Sequence, residues 1–331
     1  MSSLGDVVQS TPVARALKSA RPNCHLTWVV QRAAAPLLAG NPHIDETLVL
    51  DTRPGPRNML EAWSHMKARE FSAAIDLQGL LKSAIVTYAS GAERRIGKEE
   101  AREIAHFAYT ELSPERWDQT YISQRYLEQC ESFGVDTNDY VPEVFLDSDD
   151  FGPADELFAA ENLGDQAPVV VLVAFSAEPR REWPEEYFVQ LADTLSSTLG
   201  ARIIIPGTER ERLRAEALAE RMNCQPIVFA GETSIREAAA LLARADLVVG
   251  GDSGLTHIAF AVGTPVVCVL GPSPLRNGPK GERARTVYVD DISCRPCRPR
   301  QRCEHHDCMR MLTPQMVADA ALELATTVGL C

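Results

Sequence analysis

Short apolar runs alternate with segments of helical periodicity along the first 150 residues. The runs that predict strands are 24–30, 45–50, 72–79 and 142–146. The segments with helical spacing are 6–20, 56–70, 80–90 and 118–133. This alternation predicts an α/β domain over residues 1–150.

The second half of the chain repeats the alternation with more continuous apolar runs. The predicted strands are "VVVLVAF" (169–175), 201–207, 226–231, 245–251, 265–271 and 286–289. Strands of a parallel sheet that helices cover on both faces have this composition. Helix starts are marked by Pro184 at a first helical position and by Ser234 with Glu237, a capping box. We therefore predict a second α/β domain over 165–312 and a last helix over 313–331 that packs back on the domains.

A polar, acidic stretch, "DSDDFGPADELFAAENLGDQAP", separates the two predicted domains. Its Gly and Pro content is typical of a linker, with a short helix inside it. Two α/β domains joined by a linker predict a cleft between them. Ligands of such sheets bind beyond the carboxyl ends of the strands.

The segment "GGDSGLTH" (250–257) joins a predicted strand directly to a helix. Asp252 or Ser253 can cap this helix, and Gly254 leaves space for a ligand near the backbone. The unpaired N–H groups of the first turn and the positive end of the helix dipole favour an anion. His257, one turn further, can face the same anion. We interpret the segment as a pyrophosphate site; the alternative is an ordinary capped strand–helix turn.

The formal net charge of −13 argues against general nucleic-acid binding, which needs a basic surface. It leaves room for an anionic ligand held by a local basic pocket. The sequence contains neither an apolar run long enough to span a membrane nor a visible signal peptide. We therefore expect a cytoplasmic protein.

Four segments together resemble one enzyme family. They are "GGDSGLTHIAFAVGTPVVCVLGPS" (250–273), "SSLGDVVQSTPVARAL" (2–17), "DLQGLLKSA" (76–84) and "REWPEEYFVQLADTL" (181–195). They resemble the lipopolysaccharide heptosyltransferases of glycosyltransferase family 9. The resemblance implies a GT-B fold, in which two Rossmann-like domains face a central cleft. It also implies an inverting transfer of a heptose from ADP-L-glycero-D-manno-heptose to the inner core of lipopolysaccharide, with no cofactor and no metal.

The resemblance also implies roles for individual residues. Asp6 matches the catalytic base, although it could merely cap the following helix. Arg181 matches a basic residue that meets the leaving-group charge, with Arg180 as the neighbouring candidate. The residues that would bind the donor are Asp252, Ser253, Gly254 and His257, together with Glu211, which could hold the ribose or be an exposed helix glutamate.

The acceptor in this family is an anionic, lipid-linked sugar acid, so an acidic protein must concentrate positive charge locally. The residues that would bind it are Ser2, Ser3, Lys82 and Arg94, with Arg95 and Lys98 as further candidates; the alternative for the charged ones is a solvated surface. A lipid-linked acceptor also implies peripheral contact with the inner face of the inner membrane.

This sequence departs from the family at its start, where a hydrophobic strand normally precedes "SSLGD". In a doubly wound sheet that strand is central, and its absence leaves two neighbouring strands with unpaired backbone groups. We expect a misassigned start site or a truncated copy. If the chain really begins here, Asp6 is poorly supported and catalytic activity is not expected.

The segment "CRPCRPRQRCEHHDCM" places Cys294, Cys297, Cys303 and Cys308 close together in sequence. Four thiols could bind zinc, but their spacing is looser than in a zinc ribbon. We predict no metal here, and a reduced loop or an adventitious metal or disulfide site is the alternative to zinc.

Two other functions compete with transfer of a heptose. The first is nucleotide-sugar binding by a catalytically silent homologue, and the second is a nicotinamide oxidoreductase. A transferase of the same family could also use another nucleotide sugar as its donor. A nicotinamide oxidoreductase is disfavoured, because no G-x-G-x-x-G follows any predicted strand.

Overall fold

The strands pair in parallel in both halves of the chain. The computed structural model describes residues 3–50, 56–114, 121–164, 167–290, 292–295, 297, 303 and 305–330. The chain divides into two units between Phe145 and Leu146. This division lies slightly before the predicted boundary at residue 150, because Asp150 forms an ion pair with Arg236 of the second unit.

The first unit has two parallel sheets. Its helices are α1 (Leu4–Ser10), α2 (Pro12–Ala20), α3 (Pro56–Lys67), α4 (Leu81–Ala89) and α5 (Ile122–Glu128). Its strands are β1 (Thr27–Val30), β2 (Glu46–Val49), β3 (Ala73–Ile75), β4 (Arg94–Lys98) and β5 (Glu111–Ser113). One sheet contains β1 and β2, and the other has the order β3-β4-β5.

Two expectations about the first unit are corrected. The helix predicted over 6–20 is divided into α1 and α2, and Pro12 opens the second helix. Residues 142–146, predicted as a strand, pair with no strand in the described chain. The N–H of Glu143 instead donates to the Thr11 side chain.

The second unit contains one six-stranded parallel sheet, with the order β11-β10-β9-β6-β7-β8. Its strands are β6 (Val169–Val173), β7 (Arg202–Gly207), β8 (Ile227–Ala230), β9 (Leu247–Gly251), β10 (Val266–Val269) and β11 (Ala284–Val287). The main helices are α6 (Gly152–Ala160), α7 (Glu185–Leu199), α8 (Arg212–Ala219), α9 (Ile235–Arg244) and α10 (Gly254–Ala261). All residues of β6, β9 and β10 are buried, as continuous apolar runs predict.

The end of the chain completes the core of the second unit. Helices α11 (Asp307–Arg310) and α12 (Pro314–Thr327) follow the cysteine-bearing segment. Helix α12 packs on α7 and on the edge of the sheet at β10 and β11. The buried Trp183 donates a 2.7 Å hydrogen bond from Nε1 to the carbonyl of Leu312. This bond ties the segment that precedes α7 to the segment that precedes α12.

None of the helices within the described ranges combines the length and the apolar character that a membrane span requires.

Candidate functional site

Strand β9 ends in two glycines that leave no room for side chains. A Cβ on Gly251 would lie 2.7 Å from the carbonyl oxygen of Arg181, and one on Gly250 would lie 2.7 Å from Cβ of Val173. The backbone at Arg181 therefore lies directly against the carboxyl end of β9. The lack of a side chain at Gly251 thus lets an arginine approach the turn where α10 begins.

Asp252 follows these glycines and is the centre of a polar cluster. Its side chain is only 4% exposed. Oδ1 lies 2.8 Å from Nε2 of His257, and Oδ2 lies 3.0 Å from Nη1 of Arg181. Asn277 donates from Nδ2 to Oδ2 at 3.3 Å. The cluster joins residues from three separate segments at one edge of the sheet.

Burial by itself would raise the pKa of Asp252. The hydrogen bond from His257 and the charges of His257 and Arg181 outweigh burial, so the pKa of this carboxyl lies below its ordinary value. Asp252 is therefore an anion at neutral pH. Its charge holds Arg181 and His257 in position.

Helix α10 begins immediately after Asp252. Ser253 is its N-cap, and its Oγ accepts a hydrogen bond from the N–H of Thr256 at 3.5 Å. Gly254 is the first residue of the helix. A helix start with a glycine leaves its N–H groups accessible to an anion. The ring of His257 is buried and contacts Asp252, so His257 can orient the Asp252 carboxylate.

The two neighbouring arginines have different partners. Arg181 joins Asp252, and 39% of its side chain remains exposed, enough to meet a ligand. Arg180 pairs with Glu178 at 2.9 Å. The structure therefore favours Arg181 over Arg180 as the cation of this cluster.

Glu211 has a structural partner close by in sequence. Its Oε2 accepts hydrogen bonds from the N–H and the hydroxyl of Thr208, at 2.7 Å and 2.8 Å. Thr208 and Glu211 form a capping box at the end of β7. This arrangement supports the structural interpretation of Glu211, and a ribose contact stays a prediction.

A second polar cluster lies at the carboxyl end of β3 in the first unit. The buried Asp76 accepts hydrogen bonds from the N–H groups of Gln78 and Gly79, both at 2.9 Å. Its other oxygen accepts from the Tyr109 hydroxyl at 2.7 Å. Gly79 adopts a left-handed φ of +69°, and a Cβ there would lie 2.5 Å from Cε of Lys98. The glycine thus makes space for the lysine beside Asp76.

Lys98 links this cluster to Asp6. Burial lowers the pKa of Lys98, while the charges of Glu100, Asp76 and Asp6 act in the opposite direction. Asp6 itself lies in the first turn of α1, where its N–H bonds the Oγ of the N-cap Ser3 at 3.4 Å. The charge of a carboxylate in α1 therefore acts on a lysine at the end of β4.

The predicted acceptor-binding residues are not all brought to this edge. Arg94 begins β4, whereas Lys98 ends it, and Arg94 holds both oxygens of Glu111, at 2.7 Å and 2.9 Å. Lys82 is half-buried in the first turn of α4. Ser2 lies outside the described residues.

The four clustered cysteines carry free thiols, and Cys308 is buried. Burial raises the pKa of Cys308 to about 11. Within the described ranges, which omit 298–302 and 304, no group of three or more His, Cys, Asp or Glu side chains is arranged to hold a metal ion. The described residues therefore give no support to the zinc alternative.

Sequence reasoning did not select Asn277, Asp76 or Tyr109. The sequence does indicate Asp76, because a polar residue directly after a strand of a parallel sheet lies where such sheets bind ligands. Asn277 and Tyr109 come from segments without a motif, and only the fold brings them to their aspartates.

The buried charge of Asp252 predicts a pH-dependent stability. A carboxyl with a lowered pKa stabilises the folded state above its ordinary value near 3.8, and this contribution is lost as the pH falls through the folded pKa. We expect Asp252→Asn to lower the free energy of unfolding by about 3 kcal/mol at pH 7. The difference should shrink between pH 5 and pH 2 in urea titrations.

The control for this experiment is Asp155→Asn, because Asp155 forms an exposed pair with Arg244. It should change stability little at any pH. An Asp252 effect of equal size at pH 3 and pH 7 would contradict the assigned charge state.

Comparisons with known proteins agree with this architecture. A sequence model of glycosyltransferase family 9 (heptosyltransferase) matches residues 59–307. Lipopolysaccharide heptosyltransferase 1 of Pseudomonas aeruginosa is 29% identical over 310 residues, which cover 89% of this chain and 84% of the relative.

Solved structures of related proteins share the fold. A family 9 glycosyltransferase from Veillonella parvula superposes with a TM-score of 0.84 at 23% identity, over 98% of this chain and 96% of the other. The E. coli heptosyltransferase WaaC with ADP gives a TM-score of 0.72 at 25% identity, over 98% and 97%. The predicted GT-B fold is confirmed. Because the family model spans most of the sequence, the protein is a glycosyltransferase and belongs to glycosyltransferase family 9.

Proposed function

We propose that this enzyme transfers a heptose from ADP-L-glycero-D-manno-heptose to the inner core of lipopolysaccharide, with inversion and without a metal ion. Two observations on relatives support the sugar and the nucleotide. The P. aeruginosa relative is a lipopolysaccharide heptosyltransferase, and WaaC has been solved with ADP. The observation on this chain that carries the proposal is the cluster of Arg181, Asp252 and His257 at the start of α10.

The donor diphosphate suits this cluster for electrostatic reasons. The N–H groups of the first turn of α10 and the exposed part of Arg181 provide positive charge at one point. Asp252 fixes the arginine, so little reorganisation is needed when negative charge develops on the leaving ADP. These groups can carry the leaving-group charge without a metal.

The acceptor hydroxyl needs a base, and we assign Asp6 to this role. Its carboxylate takes the hydroxyl proton as the oxygen bonds to the anomeric carbon, and the bond from that carbon to the diphosphate breaks. Attack from the face opposite the leaving group inverts the anomeric configuration. Lys98 is a cation of the first unit whose charge interacts with that of Asp6.

The anionic acceptor would be bound by cations of the first unit. The candidates are Lys98 at the end of β4, Lys82 in the first turn of α4 and Ser3, the N-cap of α1. Ser2 and Arg94 stay candidates from the family resemblance alone. A lipid-linked acceptor would bring the enzyme into peripheral contact with the inner face of the inner membrane.

A donor screen on the purified full chain tests the proposal. ADP-heptose, ADP-glucose, UDP-glucose and GDP-mannose are each offered with inner-core acceptors that carry no heptose or one heptose, and products are read by mass spectrometry. We expect a gain of one heptose with ADP-heptose only, and the acceptor that reacts identifies the position extended. Transfer from another donor would overturn the donor assignment. ADP binding without any transfer would indicate a silent homologue.

A further inference from the structure

The segment that follows β10 lies beside Asp252. Strands β9 and β10 pair in parallel, with Val269 opposite Gly251, so the chain leaves the sheet at neighbouring points after each strand. Asp252 follows β9 directly, and residues 270–283 form the β10–β11 loop. This loop therefore begins next to the polar cluster at the start of α10.

The β10–β11 loop is held in place on both sides of its centre. Near its start, the N–H of Cys297 donates to the carbonyl of Pro272 at 2.9 Å. Further along, a Cβ on Gly278 would lie 2.5 Å from the Thr286 side chain of β11. Because Gly278 follows Asn277 directly, this close contact with the sheet fixes the backbone at Asn277.

Asn277 and Arg181 share one oxygen of the Asp252 side chain. Nδ2 of Asn277 lies 3.3 Å from Oδ2, and Nη1 of Arg181 lies 3.0 Å from the same oxygen. The other oxygen, Oδ1, lies 2.8 Å from Nε2 of His257. The carboxylate is therefore held at both oxygens, and Asn277 restrains the one that pairs with the arginine.

The amide of Asn277 suits this position because it is a neutral donor. It restrains Oδ2 without cancelling the negative charge that attracts Arg181. A cation here would compete with Arg181 for the carboxylate, and a second carboxylate would repel the first. Nη1 of Arg181 also donates to the main-chain carbonyl of Asp252 at 3.3 Å, so the position of Asp252 determines where the guanidinium lies.

We propose that Asn277 is a positioning residue for sugar transfer: by holding Oδ2 of Asp252, it keeps the guanidinium of Arg181 where the donor diphosphate leaves. This inference rests on the proposed function, because it uses the role assigned there to Arg181. Asn277 acts on the donor through the arginine alone. Its removal should therefore matter only in a chain that retains Arg181.

A double-mutant cycle between Asn277→Ala and Arg181→Ala tests this dependence. In the parent chain Asn277→Ala should lower kcat about tenfold, the effect of one hydrogen bond to a charged group, and raise the Kd for ADP by a similar factor. In the Arg181→Ala chain the same substitution should change either quantity by less than about twofold. The KM for the acceptor should stay the same, because the acceptor is assigned to the other unit.

Asn277→Asp separates positioning from packing. Aspartate has nearly the same shape as asparagine, so a residue that only fills space would tolerate aspartate better than alanine. In the proposed role aspartate should be worse than alanine at pH 8, because a second carboxylate repels Asp252 and competes for Arg181. Thermal unfolding shows whether each variant is folded, and if one of the two is not, the other decides.

Asn223 provides the matched control. Its Nδ2 donates to Oδ2 of Asp193 at 2.7 Å, so it forms the same kind of pair on an exposed surface of the same unit. Asn223→Ala and Asn223→Asp should leave both kcat and the Kd for ADP at the parent values.

Two results would overturn the inference alone. One is an equal loss from Asn277→Ala in the parent and in the Arg181→Ala chain, and the other is a folded Asn277→Asp enzyme that is more active than Asn277→Ala. If the chain binds ADP without transferring sugar, the cycle in Kd decides. A parent chain that binds no ADP would overturn the proposed donor, and with it the role of Asn277.

Discussion

Asp6→Asn is expected to lower kcat for sugar transfer by about 10²–10⁴-fold, the usual contribution of a general base. Asparagine has nearly the same shape as aspartate but cannot accept the hydroxyl proton. The KM for the nucleotide sugar should change little, because the proposed role of Asp6 concerns the acceptor. Steady-state rates with the donor identified in the screen provide the measurement.

Asp155→Asn is the matched control for this variant, since Asp155 also lies in the first turn of a helix. It should transfer sugar at the parent rate. A fully active Asp6→Asn enzyme would remove Asp6 from the mechanism and leave the base unassigned.

Arg181→Ala is expected to lower kcat by about 10²–10³-fold, comparable to the loss of one donor from a preorganised anion site. The cause is the loss of positive charge where the diphosphate leaves. Arg181→Lys should recover part of the rate, because it restores the charge but not the planar fork of the guanidinium. Single-turnover rates with saturating donor separate this effect from product release.

Arg180→Ala is the neighbouring control. Arg180 pairs with Glu178 rather than Asp252, so its removal should leave kcat within about threefold of the parent rate. Equal losses in the two alanine variants would show that the general charge of this segment matters and that the contact with Asp252 does not.

The fold of the second unit was predictable because its central strands β6, β9 and β10 are continuous apolar runs buried on both faces. The first unit was less predictable. Strand β4 begins with the charged residues Arg94 and Arg95, so the hydrophobic pattern does not indicate a strand there. In the folded chain Glu111 pairs with Arg94, and backbone carbonyls accept hydrogen bonds from Arg95. Residues 142–146 have the composition of a strand, but the Thr11 side chain takes the N–H of Glu143.

In the candidate site, residues that are neighbours in sequence were predictable, whereas residues that only folding brings together were not. Asp252, Ser253 and Gly254 are contiguous, so one motif indicated them together. Glu211 has a competing local explanation in Thr208, three residues earlier, which the sequence also displays. Asn277 reaches Asp252 only through folding, and neither spacing nor composition marks it.

The hydrogen bond from Trp183 to Leu312 has a practical consequence for expression and for natural variation. It fastens the strand-to-helix segment that carries Arg181 to residues near the end of the polypeptide. A premature stop codon between residues 288 and 312 would therefore remove an anchor of the donor side, although every proposed catalytic residue would still be translated.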